Sequence, residues 1–224
     1  MAKSRPPLFE HADLSGQSFD QQELSRAVFD HCTLVGCSFR GADLTDATFS
    51  HCNAFSPDTD ESVDFAFAIL REARFEHCDL TAGDFSNTRS YDLQFHHCQI
   101  QGVDLTGSDF MLPVGSRSQL AAFTMKGCNF AYGNLSNTFL KGCNFVECRM
   151  IEAAIHNCVL DDATFTGSDL SNISGTAVSL KGADLREAIF NNLDPRKIDM
   201  TGARITPAQT LWLLEPLGVI VEPD

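Results

Sequence analysis

Nine cysteines, seven histidines and thirty carboxylates are the groups in this 224-residue chain that could do chemistry. Thiolates and imidazoles bind transition metals, activated nucleophiles attack carbonyls, and paired carboxylates move protons. Their spacing argues against each. The cysteines match no zinc template of the CxxC kind. No Gly-rich phosphate loop, HExxH pair or nucleophile elbow is present. Asp and Ser are plentiful along the whole chain rather than gathered in one place. No enzyme, cofactor or metal centre is expected. Five histidines, His11, His31, His51, His77 and His97, do share one spacing. Each follows a large apolar residue by two positions. Four of them precede a cysteine, as in His31-Cys32 and His97-Cys98.

The chain carries 30 Asp and Glu against 16 Lys and Arg, a formal net charge of −14. Such acidity excludes a nucleic-acid binder, because phosphate neutralisation needs clustered Lys and Arg. It also excludes an anionic membrane surface as partner. No apolar run approaches the ~18 residues of a spanning helix. The start, Met1 to Pro7, has two positive charges but no apolar h-region. The expectation is a cytoplasmic protein with reduced thiols.

The elements that position these residues come from a period of five. Phe9, Leu14, Phe19, Leu24, Phe29, Leu34, Phe39, Leu44 and Phe49 run without a break. A second series extends from Phe65 to Phe110 and a third from Met125 through Phe165 and Leu185 to Ile205. Of 18 phenylalanines, 14 occupy these positions. Five is the period of neither helix nor strand, and a fixed short repeat means a solenoid whose units bury their faces only by stacking. Two residues before each large side chain stands a small one, and all nine cysteines occupy that slot. Asp or Asn commonly precedes the large residue. The cysteines are therefore read as small packing groups, with Cys→Ala expected to be milder than Cys→Ser. The five histidines become a ladder on one outer corner, with the cysteines pointing inward. A transition-metal strip is conceivable there, but a polar stack is the reading taken.

The period breaks at residues 55–62 and 111–122. If each break advances the chain by one face only, Phe9, Phe29, Phe49, Phe75 and Phe95 share one column. Cys32, Cys52, Cys78, Cys98, Cys128 and Cys148 share another. Both breaks are then loops on an uninterrupted helix. About 37 units make some nine coils, a rod of roughly 43 Å at ~4.8 Å per coil. Loops on a regular rod are candidate binding elements: Met111, Leu112, Pro113, Val114, Arg117 and Leu120 in the longer, and Phe55, Asp58, Asp60 and Glu61 in the shorter.

After Ile205 the repeat stops. Thr206-Pro207-Ala208-Gln209 reads as a capped helix start, followed by Leu211, Trp212, Leu213 and Leu214. Residues 217–221 read as a short strand. This is more apolar surface than one coil end would hide. Residues 206–224 are therefore expected both to cap the rod and to form a C2 homodimer, through Leu211, Trp212, Leu213, Leu214, Leu217, Val219 and Ile220. The organisation is a tail at 1–7, the repeat at 8–205, and this module.

Ala42-Asp43-Leu44, Ala183-Asp184-Leu185 and Cys128-Asn129-Phe130 resemble the units of pentapeptide-repeat proteins. The resemblance implies an all-β fold, a right-handed quadrilateral β-helix with four units per coil. The ending, Leu193-Asp194-Pro195-Arg196-Lys197 and residues 214–224, resembles that of Qnr-type quinolone-resistance proteins. These also carry a shorter loop followed by a longer one. That resemblance implies a dimeric rod that binds DNA gyrase, with topoisomerase IV as a further partner, and protects them from fluoroquinolones, partly by mimicking DNA. A duplex of that length carries about 25 phosphates, so −14 is roughly half-strength mimicry. Residues 1–112 hold 18 acids and 7 bases, while residues 113–224 hold 12 and 9. Two alternatives stay open: immunity to a gyrase-poisoning peptide toxin, and a generic interaction scaffold.

Overall fold

The computed structural model describes residues 6–114, 118–191, 193–220 and 222. The chain winds as a four-sided parallel β-helix. One side is a continuous sheet of seven parallel strands. They are β1 (Leu8–Glu10), β2 (Val28–Asp30), β3 (Thr48–Ser50), β4 (Arg74–Glu76), β5 (Leu93–His96), β8 (Phe123–Lys126) and β9 (Asn144–Val146), in that order. The other sides are stacked by single-residue parallel bridges, such as Asp13↔Thr33↔Asn53↔Asp79 and Glu23↔Asp43↔Ile69. β6 (Met111–Val114) and β7 (Ser118–Ala121) form a separate antiparallel hairpin.

Each corner requires a left-handed backbone residue, two after the large side chain. These include Gly36, Asp46, Asn87, His97, Glu152 and Asn172, all with φ between 51° and 65° or close to it. Among the described residues, twenty-three non-glycine residues have positive φ, and none is Val, Ile or Thr. The reason is steric, because a branched Cβ collides with the following carbonyl in that conformation. The Asp or Asn before the large residue has a matching task. Its carboxyl or amide oxygen accepts the backbone N–H of the corner residue's predecessor. Examples are Thr45 N–H to Asp43 Oδ1 at 2.9 Å, Ser86 to Asp84 at 2.8 Å and Thr106 to Asp104 at 2.8 Å. These are Asx turns, so much of the acidity in the repeat builds corners.

The core is a set of stacked columns. Phe29 lies parallel to Phe49 at 4.5 Å, and Phe49 to Phe75 at 4.6 Å. The next side contributes T-shaped contacts, as between Phe29 and Phe39 at 5.6 Å. Both register assumptions hold. Phe39 stacks on Phe65 at 4.8 Å, and Phe95 pairs with Met125, so each break advances one face. Phe123, outside the period-five series, fills a small-residue slot and is buried against Phe110.

Beyond Ile205 the fold departs from expectation. A 3₁₀ turn at Pro207–Gln209 leads into α1 (Thr210–Leu214) and a second 3₁₀ turn at Glu215–Leu217. Gly218 then turns left-handed at φ 75°. No strand forms at Leu217, Val219 or Ile220; Val221 lies outside the described residues. Pro216 inside the 3₁₀ turn and the left-handed Gly218 bend the chain instead of extending it.

The corner argument predicts a contrast at Glu152 (φ 57°). Glu152→Val should destabilise by about 1–2 kcal/mol. Glu152→Gly should be neutral or better. Equal melting temperatures for the two variants would contradict the corner geometry.

Candidate functional site

Three features stand out from the regular coil: the inward thiols, the two loops and the C-terminal module. All nine cysteines are buried and free. They do more than fill space. In the column beside the strand face each thiol donates to the carbonyl of a large residue one coil back: Cys52 to Phe29, Cys78 to Phe49, and Cys98 to Phe75, at 3.3–3.4 Å. The same sulfurs accept backbone N–H groups, as Cys78 does from Cys52 and Cys128 from Cys98, both at 3.4 Å. At these corners the strands run one residue further, and the thiol satisfies groups that a tight turn joins elsewhere, as Ala27 N–H joins Leu24 O. Ser168 continues the column with the same two bonds, 2.8 Å to Phe145 O and 2.9 Å from Cys148 N–H. Burial pushes the Cys37 thiol up to about 11 and Cys143 up to about 12, which suppresses the nucleophilic thiolate.

The loops leave at diagonally opposite corners. The shorter connects the side carrying Ala54 to that carrying Phe65, and is closed by an antiparallel Ser56↔Glu61 bridge. Ser62 Oγ ties it to Thr81 O at 2.6 Å. Phe55 is half-buried, while Asp58, Asp60 and Glu61 are exposed. The longer is the β6–β7 hairpin, paired Met111↔Ala121 through Val114↔Ser118. Met111 and Leu112 are half-buried at its base, Leu120 is exposed, and Pro113 and Val114 lie on β6. Arg117 lies outside the described residues. The two loops are about 12 Å apart along the axis, at two and a half coils of ~4.8 Å.

Sequence reasoning missed two exposed aromatic residues on the rod. Phe67 and Tyr132 are exposed and hold left-handed corners at φ 63° and 61°, where bulky residues are rare. Arg40 lies over the Phe67 ring at 5.3 Å and pairs with Asp64 at 2.8 Å. The signal was available for Phe67, one of the four phenylalanines outside the series.

The C-terminal module divides the residues nominated for dimerisation. Trp212 sits edge-on to Phe190 at 5.2 Å, and Leu213 packs on the same core. The buried Gln209 donates to Leu185 O at 2.6 Å and Ala188 O at 2.7 Å, closing the last coil. Its Oε1 accepts the Thr206 N–H at 2.6 Å. Leu214 is half-buried; Leu211, Leu217, Val219 and Ile220 are exposed. Beside this end, the Arg196 guanidinium holds the Asp194 carboxyl down to about 2. Among the described residues no helix is long and apolar enough to cross a membrane.

A four-sided parallel solenoid with one large and one small inward side chain per five residues defines a pentapeptide-repeat protein. The family model for pentapeptide repeats matches in eight copies over residues 23–54, 61–89, 125–162 and 155–192, and the chain belongs to that family. Full-length QnrB1, a plasmid-mediated fluoroquinolone resistance protein, superposes with a TM-score of 0.82 at 29% identity. That match covers 95% of this chain and 100% of QnrB1. A trypsin-treated form of QnrB1 gives 0.84 at 25% identity over 98% and 100%. The pentapeptide repeat protein VPA0095 of Vibrio parahaemolyticus serotype O3:K6 is 31% identical over 101 residues. That stretch spans 42% of this chain and 44% of the relative, less than half of its length.

The thiol bonds reverse the expected order of cysteine substitutions. Cys78→Ser should be tolerated, since Ser168 already plays this part. Cys78→Ala leaves the buried Cys52 N–H without its partner, which costs about 1–3 kcal/mol. Thermal melts decide between the two orders, and native thiols should resist a disulfide reagent until the chain is denatured.

Proposed function

We propose that this protein binds bacterial type II topoisomerases, DNA gyrase and also topoisomerase IV, and protects them from fluoroquinolones as an acidic, partly DNA-mimicking dimeric rod. The observation that carries this reading is the match to QnrB1 along the full length of both chains. The charge distribution agrees with it. The acidic excess lies in residues 1–112, and a field of that sign steers a rod toward a basic surface. Part of that excess is committed to Asx turns, so the charge sets encounter rate more than grip. Contact energy falls to the loops, where Leu120 is exposed, with Phe67 and Tyr132 exposed on the rod, because buried aromatic and apolar anchors dominate interfaces. The exposed Leu211, Leu217, Val219 and Ile220 form the dimer contact of this reading. A supercoiling assay with gyrase and ciprofloxacin tests it; no rescue at micromolar protein would remove it.

The loop roles are tested by deletions that keep five residues per face. Removing 113–122 with Leu112→Gly leaves Phe110 and Met125 five apart, whereas removing 111–122 would leave three. The ten-residue deletion should stay folded by circular dichroism and lose protection. Removing 57–62 with Ser56→Gly should weaken it partially. Full protection by the folded ten-residue deletion would move the function to the rod faces.

The tail is tested by light scattering. Because Gln209, Trp212 and Leu213 close the last coil, truncation after Ile205 is predicted to give monomer or aggregate. The double variant Leu217→Ser, Ile220→Ser keeps the cap and should give a folded monomer. An intact dimer would place the interface elsewhere.

A further inference from the structure

The five histidines form the expected ladder. Successive rings lie 4.9, 4.6, 5.1 and 5.3 Å apart from His11 to His97. The three lower pairs are stacked within 9–18° of parallel, but His11 and His31 are splayed by 31°. The preceding residues form a second column alongside, Glu10, Asp30, Ser50, Glu76 and His96, aligned by strand pairing. Asp30 stands between the splayed rings. Among the described residues, His11, Asp30 and His31 are the one set of three whose ligand atoms all lie within 4.8 Å of one another. The cysteines that follow the histidines point inward, so the third ligand comes from the residue before His31.

We propose that His11, Asp30 and His31 bind a divalent transition-metal ion of the zinc class, which clasps the first coil to the second. Two imidazoles and a carboxylate suit such an ion, with a water completing four ligands. Tetrahedral ligands about 2.1 Å from zinc lie roughly 3.4 Å apart. Exposed rings close the remaining gap by small side-chain rotations. The carboxylate is held in place: Ser50 Oγ donates to Asp30 Oδ1, and His31 Nδ1 lies 3.0 Å from Asp30 Oδ2. Supporting groups of this kind orient metal ligands.

The site lies where a clasp has most effect. Among the described residues no coil lies above Leu14 and Phe19, which keep 7% and 6% exposure, whereas Leu34 and Phe39 below them have none. In a solenoid each coil is stabilised only by its neighbours, so a terminal coil opens first. An ion joining residues 11 and 31 bridges that junction.

The test uses full-length, reduced, chelator-stripped protein titrated with zinc chloride by calorimetry at neutral pH. One ion per chain is expected, with binding weakened at least about tenfold by His11→Ala or Asp30→Asn and unchanged by His97→Ala. Cobalt substitution should give a spectrum without thiolate charge-transfer, which separates this site from the cysteines. In wild-type protein, zinc should slow hydrogen exchange in residues 8–24 more than in residues 140–190, a readout that needs no variant. No binding, binding insensitive to His11→Ala and Asp30→Asn, a thiolate spectrum, or uniform protection would each overturn the proposal.

Discussion

The left-handed residue at each corner is the constraint from which the rest of this rod follows. A chain that turns every five residues has no regular helix or ladder to do the turning, so each corner depends on one residue with positive φ. Among the described residues, twenty-three non-glycine residues take up that conformation, all but Asp60 at corners of the coil. At about 1 kcal/mol each, their combined cost exceeds the ~5–15 kcal/mol by which a typical domain is stable. No single coil could sustain it. The columns of Phe and Leu, each buried only when a neighbour is present, supply the compensating term. The corner and the stack are thus two halves of one condition: the corner places the large side chain inward, and the stacked side chain holds the corner.

The same geometry explains the polar details. The Asx turns tie the corner to the residue before each large side chain. Where the strands extend, a thiol or hydroxyl takes over the groups that the turn no longer joins, as at Cys78 and Ser168. At the open C-terminal end Gln209 does this for a whole coil, through Leu185 O and Ala188 O. Polar satisfaction inside this narrow rod is local, one side chain per corner.

Much of this was legible in the sequence, because the repeat is strict. The alternation of Phe and Leu set the register through the first break, and six aligned cysteines set it through the second. Less legible was anything that depends on a backbone atom having lost its usual partner. Nothing in the letters of Cys52-Asn53 says that the thiol bonds to Phe29 O. The C-terminal run at 217–220 has strand composition, but the turn at Pro216 and the left-handed Gly218 bend it, which composition does not report. Phe67 and Tyr132 broke a visible rule, a bulky side chain in a corner slot, and the rule became readable only when the φ angles explained it. Asp30 was hidden among many similar carboxylates, until strand pairing set it between two rings.

The antiparallel closure of both loops has a consequence for how such a molecule changes over generations. The Ser56↔Glu61 bridge and the β6–β7 ladder return the chain to the corner it left. The number of residues beyond the closing pair is then free of the five-residue arithmetic that governs everything else. A one-residue insertion inside a coil shifts every later side chain off its column; the same insertion at a hairpin tip shifts none. Variation in length is therefore confined to two sockets on opposite edges. Each can accept a new segment while the scaffold beneath it stays fixed.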